Sequence, residues 1–210
     1  MKLRIHLTAT HSFYVTFYRR HLPHLYSQGQ PLFITWRLHD SLPPNRTFPP
    51  AALTSGQAFA AMDRLLDAAT TGKVYLRQPD IANMVVEAMY YNAAVLGHYV
   101  LHAFVVMPNH VHFLITPKSE LPKIMKSIKG ITARRANAML SLAGSRFWQE
   151  ESYDRLVRDE HEFKKIGNYI EENPVGAGLV RTSSEYRWSS AAEATWGSPA
   201  DQGVRPTVVG

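Results

Sequence analysis

The sequence predicts an α+β fold, an antiparallel sheet covered by helices. Three observations carry this. Two β-rich runs, His98–Val106 and His110–Thr116, flank the turn-like Met107-Pro108-Asn109 and read as a hairpin. The remaining segments follow the order strand, two helices, hairpin, helix, strand, helix, which suits an antiparallel sheet with helices packed on it. At 210 residues, 45% hydrophobic and 19% charged, the chain can bury a sizeable core as an ordinary globular protein.

Residues 1–30 have mixed aromatic and basic character, show no clear period and read as an N-terminal extension. Pro31–Leu38 (PLFITWRL) is rich in β-formers and reads as the first strand, followed by a Pro-rich connection from Ser41 to Pro50. Ser55 can cap a helix running to Thr70, with Phe59, Met62, Leu65 and Leu66 at helical spacing. A second helix starts near Pro79-Asp80 and stops before Gly97, with Ile81, Met84, Val85, Ala88 and Met89 as its apolar stripe. After the hairpin, a helix from Glu120 to Leu140 has Leu121, Ile124, Ile128 and Ile131 on one side. Lys123, Lys126 and Arg134 cluster on the other, with Lys129 beside them and Arg135 inside the stripe, snorkelling or paired. Phe147–Arg158 holds a further strand. A last helix begins at Asp159, with Glu162 placed as a capping-box partner, and stops at Asn173-Pro174. Residues 198–210 form a flexible C-terminal tail. No internal repeat is present. Together these elements suit a ferredoxin-like or RNA-recognition-module-like arrangement.

The chain contains no cysteine, which excludes disulfides, thiolate zinc sites and cysteine nucleophiles. No apolar run approaches the ~18 residues of a membrane span, so no membrane association is expected and a cytoplasmic location follows by default. A formal net charge of +6 suits a polyanionic partner, although many soluble proteins are mildly basic.

The chemistry-bearing pattern lies in the second hairpin strand. His110 and His112 flank Val111, and side chains i and i+2 of a strand share one face. The two imidazoles therefore stand about 6–7 Å apart along the strand, close enough to share one metal ion. Val111, Phe113 and Ile115 fill the opposite face. This His–hydrophobic–His arrangement is called HUH. Among ten histidines such a pair arises readily by chance, and two edge-strand histidines account for it equally well by spacing alone. In the last helix, Phe163, Ile166 and Ile170 form the stripe. Tyr169 lies about 90° from its centre, at the border of core and surface, with Asn173 on the same face one turn on. By spacing alone these are a rim tyrosine and a helix-stopping Asn-Pro.

Taken together, the segments resemble the REP-associated tyrosine transposases, a branch of the single-tyrosine HUH transposases. The matching segments are Arg19–His24 (RRHLPH), Leu101–His112 (LHAFVVMPNHVH), Lys129–Asn137 (KGITARRAN), Phe147–Asp154 (FWQEESYD), Tyr169–Leu179 (YIEENPVGAGL) and Trp188–Ser190 (WSS). They occur in the family's order and cover most of residues 19–190. The resemblance implies an HUH transposase-like catalytic domain over residues 31–197, His110 and His112 as metal ligands, and Tyr169 as nucleophile. Related transposases place a glutamine four residues after the tyrosine. Here Asn173 stands there, as in the REP-associated branch, and Glu172 or water are alternative third ligands.

The implied activity is metal-dependent cleavage and rejoining of single-stranded DNA at short hairpins, the repetitive extragenic palindromes (REP). It runs through a 5′-phosphotyrosine intermediate, with Mg2+ or Mn2+ as cofactor, in a monomer or homodimer. A divalent ion would offset charge on the phosphodiester, and no general base for the phenol is evident from the sequence. Lys123, Lys126, Lys129, Arg134 and Arg135 would track DNA phosphates. Trp148, with Phe147 and Trp188, would stack on unpaired bases or pack in the core. Two other readings remain open at this stage. One is a non-catalytic DNA or RNA hairpin-binding protein with a vestigial HUH site. The other is a metal-dependent hydrolase in which Tyr169 is structural.

Overall fold

A computed structural model describes residues 2–4, 14–19, 23–27, 29–42, 55–68 and 72–192, giving the backbone alone for the first three segments and for residues 55–58. The expected C-terminal tail, most of the Pro-rich connection and the end of the first helix at Thr70 lie outside these residues.

The central sheet has four strands: β4 (Leu32–Arg37), β5 (Tyr99–Val106), β6 (His110–Pro117) and β7 (Tyr153–Leu156). Their order is β5-β6-β4-β7 and every pairing is antiparallel. The hairpin is present as expected, with one irregularity between Leu101 and Ala103. The helices are α1 (Ser55–Ala68), α2 (Pro79–Ala94), α3 (Leu121–Met139) and α4 (Glu160–Gly176). The fold is thus the α+β antiparallel sheet covered by helices that the element order predicts. The sequence reading left residues 1–30 unassigned. Among the described residues three strands lie there, β1 (Lys2–Arg4), β2 (Tyr14–Arg19) and β3 (Pro23–Ser27), paired antiparallel as a separate sheet.

The alternation of β4 and β6 sorts side chains onto two unlike faces. Ile34, Trp36, Val111, Phe113 and Ile115 join Phe104 and Val106 on one face, buried under α2 and α3. The α2 stripe, Ile81 to Met89, is buried there as expected. The other face carries Phe33, Ala103, Val105 and Leu114, packed with Ile166 and Ile170 of α4 and Phe59 of α1. Thr35, Arg37, His110 and His112 lie on this second face by register, because Thr35 is opposite His112 and Arg37 is opposite His110.

Three details depart from expectation. On α3 the buried set is Leu121, Ile124, Met125, Ile128, Thr132 and Ala136, so the stripe turns away from Ile131, which is 39% exposed. Arg135 consequently sits at the surface, 3.7 Å from Glu87. At the start of α4, Asp159 accepts from the Glu162 backbone N–H at 2.7 Å as a cap. The Glu162 carboxylate completes no capping box; it accepts from the Arg158 backbone N–H at 2.9 Å and pairs with Arg155 and Arg158. Finally, α4 does not stop at Asn173-Pro174. Pro174 lies inside the helix, which runs to Gly176 and closes with Ala177 N–H donating to Asn173 O at 2.9 Å. Proline forfeits one intrahelical bond, and α4 continues for a further half turn.

Candidate active site

His110 and His112 are fully buried and their Nε2 atoms lie 3.1 Å apart. Their outer nitrogens are held by the sheet and its turn. His110 Nδ1 faces Asn109 Oδ1 at 2.7 Å, and Asn109 Nδ2 donates to Leu66 O at 2.9 Å. That second bond fixes the amide, so His110 carries its proton on Nδ1 and presents a lone pair at Nε2. His112 Nδ1 faces Thr35 Oγ1 at 2.8 Å. A hydroxyl can donate or accept, so His112 is free to present either a proton or a lone pair at Nε2.

Helix α1 supplies what the sequence reading missed. The Asp63 side chain is buried, and its Oδ1 lies 3.2 Å from His112 Nε2 and 3.7 Å from His110 Nε2. Its Oδ2 accepts a hydrogen bond from the Tyr169 hydroxyl. Asp67, one turn on, places Oδ1 3.7 Å from His110 Nε2. Asp63 follows Phe59 by four residues and precedes Leu66 by three, so a carboxylate inside the apolar stripe was the available signal. From α4, Asn173 Nδ2 lies 3.4 Å from His112 Nε2, and Tyr169 is 37% exposed. The Tyr169 ring is boxed by Phe33, Phe59 and His112, with centroids at 6.2, 6.3 and 5.5 Å. Tyr169 and Asn173 therefore both face the histidines from a single chain.

The donor set fits a divalent ion. Asp63, His110 and His112 form a buried group whose ligand atoms converge. The three atoms make a triangle with edges of 3.1, 3.2 and 3.7 Å. Ligands about 2.1–2.2 Å from one ion stand roughly 3.0–3.6 Å from one another, so the triangle has the size of one face of a coordination shell. Asp63 Oδ1, Asp67 Oδ1 and Asn173 Oδ1 are buried and have no hydrogen-bond partner, an arrangement that a cation relieves. Glu172, by contrast, is exposed and accepts from Ser183 at 2.9 Å, so it does not face this site.

Charge is polarised across the cluster. Burial, then His112, push His110 down to about 3, against the pull of Asp63. Burial raises Asp63, but the neighbouring His112, His110 and Asn173 side chains outweigh it and leave the carboxyl below its ordinary range. Burial and the neighbouring Asp63 lift Asp67 to about 7, only partly countered by His112. Near neutral pH the site thus holds an ionised Asp63 and a neutral His110.

The other candidate residues lie elsewhere. Lys123, Lys126 and Arg134 sit on α3, across the sheet from the histidines, where with His98, Gly130 and Ile131 they line an open groove. Lys129 Nζ donates to Gln149 O and Glu150 O at 2.6 and 2.8 Å, tying α3 to the chain before β7. Of the two readings left open for Trp148, stacking on bases or packing in the core, its surroundings fit the second. It is 6% exposed, its Nε1 donates to Thr132 Oγ1 at 2.8 Å, and it packs on Trp36, so it offers no open ring face. Phe147 is likewise buried, and the Trp188 indole N–H donates to Asn83 Oδ1 at 2.9 Å.

Among solved structures, the chain is similar to a REP-associated tyrosine transposase bound to a REP hairpin. The match has 18% identity and a TM-score of 0.53, and covers 86% of this chain and 85% of the other. That likeness supports the fold. A putative transposase from Deinococcus radiodurans R1 matches at 19% identity over 70% of this chain and 93% of the other, with a TM-score of 0.34. No curated protein matches the chain. The sequence model of the family described as "Transposase IS200 like" matches residues 73–173, the stretch that holds His110, His112, Tyr169 and Asn173. Over that segment the chain is similar to the IS200-like transposase family.

Proposed function

We propose that this transposase cleaves and rejoins single-stranded DNA at REP-type hairpins through a 5′-phosphotyrosine on Tyr169. One observation carries the reading: the Tyr169 hydroxyl and the nitrogens of His110 and His112 meet at the same carboxylate, Asp63. A nucleophile and a metal-ligand set that share one buried group suit attack on a phosphodiester better than either does alone.

His110, His112 and Asp63 would hold the ion, with Asn173 as a further ligand once its amide is turned to present Oδ1. The ion would polarise a non-bridging phosphate oxygen and offset the charge that develops there. Mg2+ suits the oxygen donors, and Mn2+ tolerates the two imidazoles better. Tyr169 Oη attacks phosphorus as its proton passes to Asp63 Oδ2, the group missing from the sequence reading. The phosphorus–O3′ bond breaks, the departing 3′-oxygen takes a proton from water to become a free 3′-hydroxyl, and the DNA is joined through its 5′-phosphate to the tyrosine. One phosphoester replaces another, so rejoining needs no external energy source. Phe33, Phe59 and His112 hold the phenol ring in place, and Tyr153 backs them, stacked on Phe59 at 4.6 Å. The hairpin substrate is carried over from the structural relative, whose complex contains one.

The test is incubation with labelled single-stranded DNA from beside the protein's own gene, with Mn2+, followed by a denaturing gel. A shifted covalent protein–DNA band that appears together with a free 3′-end is expected. Cleavage without a covalent band would establish a hydrolase, and binding without cleavage a vestigial site.

A further inference from the structure

The proposed chemistry leaves one charged group on the same sheet face without a task. Arg37, at the end of β4, is directly opposite His110. Directly opposed residues have Cβ atoms about 4.5–5.5 Å apart on the same face. The Arg37 side chain therefore rises beside His110, on the face that also carries Thr35 and His112. It is half-buried. A guanidinium in that position keeps its charge and needs an anion to offset lost hydration.

The described residues supply little to meet that need. Among the described residues Arg37 makes hydrogen bonds through Nη1 alone, to Leu38 O at 3.4 Å and Ser41 Oγ at 3.2 Å. Both are long beside the ~2.7–2.9 Å of charge-assisted bonds. Asp40 attracts it electrostatically, yet that carboxylate is bonded to His39 at 2.9 Å and lies 3.6 Å from Lys73. Arg155, Arg158 and Arg135 each have a glutamate. Among the described residues Arg37 has two neutral hydrogen-bond contacts, which fix one end of its fork and leave the remaining donors for an anion.

We propose that Arg37 is a further catalytic residue of this site, gripping the non-bridging oxygens of the scissile phosphodiester next to the ion held by His110, His112 and Asp63. This rests on the strand-cleavage reading above. Arg37 takes part in no bond making or breaking. It binds charge that grows on the phosphoryl oxygens as Tyr169 attacks, and its planar fork suits two oxygens of one phosphate.

The experiment uses the full chain and single-stranded oligonucleotides from beside its gene. The phosphate that the wild type cleaves is then replaced by a neutral methylphosphonate. Arg37→Gln keeps hydrogen-bond donors for Leu38 O and Ser41 Oγ but lacks the charge; Arg37→Ala removes both. On the phosphodiester both variants should form adduct about 100-fold more slowly or worse. On the methylphosphonate they should come within about 3-fold of the wild type, because the charge they fail to grip is gone. Thermal midpoint and Mn2+ affinity of Arg37→Gln should match the wild type. Equal losses on both substrates would make Arg37 a structural residue, and wild-type rates in both variants would remove it from the site. If the wild type itself forms no adduct, the cleavage reading fails, and Arg37 is then judged by oligonucleotide binding. Arg37→Gln should flatten the log K against log salt slope by about 0.7, and an unchanged slope overturns the phosphate contact.

Discussion

The two faces of the central sheet are built from the same strands and do opposite work. Under α2 and α3, Trp36, Phe104, Val111, Phe113 and Ile115 pack together; Tyr99 donates to Met89 O at 2.7 Å and Trp148 to Thr132 at 2.8 Å, and among the described residues Trp36 Nε1 is the one indole nitrogen of this group buried without a partner. On the face toward α1 and α4, three carboxylate or amide oxygens are buried without partners and two imidazole nitrogens meet at 3.1 Å. Strand β6 alternates between these roles residue by residue. The difference teaches that one face tolerates its unpartnered polar cluster because the other secures the strands that carry it.

The largest effect should come from the chemical face. Tyr169→Phe removes one oxygen and keeps the ring among Phe33, Phe59 and His112. Adduct and cleavage should vanish together on a denaturing gel, at any Mn2+ concentration, while hairpin binding persists. A surviving adduct would move the nucleophile to another tyrosine, with Tyr153 first to test. Next, Asp63→Asn keeps the shape but removes the shared carboxylate. Mn2+ affinity by titration calorimetry should fall about 10–100-fold. Unchanged affinity would limit the ligand set to His110, His112 and Asn173.

The same cluster should reveal its cost in stability. The raised Asp67 carboxyl binds a proton more tightly folded than unfolded, so its contribution is present below about pH 4 and is lost as pH rises through about 7. His110 works in the opposite sense: its depressed value gives stability above about pH 6.5 that is lost as pH falls toward 3. In metal-free protein, Asp67→Asn removes only the first effect. It should be more stable than the wild type at pH 8 by ~2 kcal/mol in urea melts, with the difference vanishing near pH 4. The opposite face makes the control. Trp148→Phe loses a buried hydrogen bond to Thr132 and should cost about 1–2 kcal/mol while DNA affinity stays unchanged. A drop in affinity at unchanged stability would return Trp148 to the DNA interface.

What could be read from the sequence follows the same division. Elements with a strong period, such as the α2 stripe and the hairpin, are located to within a few residues, because burial on one face imposes that period. His110 and His112 share a face because strand alternation requires it. Asp63 was not legible, since its meaning depends on α1 crossing the sheet at His112, a contact between residues 49 apart that no local pattern encodes. Arg37 reads as one polar residue in a strand until register sets it opposite His110. Trp148 stood between two readings, base stacking and core packing, and only its contacts with Trp36 and Thr132 favour the second. The three strands before residue 30 are short, and their composition gave no alternation to detect.

The smallest expected effect concerns the groove on α3, and it separates the two faces most directly. Lys123, Lys126 and Arg134 line an open groove on the side of the sheet that lacks the histidines. A strand lying in the catalytic cleft does not reach them, so they would hold a different part of the DNA, such as a hairpin stem. Replacing all three by glutamine should leave the cleavage rate of a short unpaired oligonucleotide within about 2-fold of the wild type. Binding of a hairpin should weaken, and its log K against log salt slope should flatten by roughly 0.7–0.9 for each phosphate no longer neutralised. The short oligonucleotide should show no such flattening. If both DNAs lose slope equally, the cleaved strand itself wraps around the sheet to α3. If neither does, the positive charge of that groove is a solvated helix face, and the DNA interface is confined to the face that carries Tyr169.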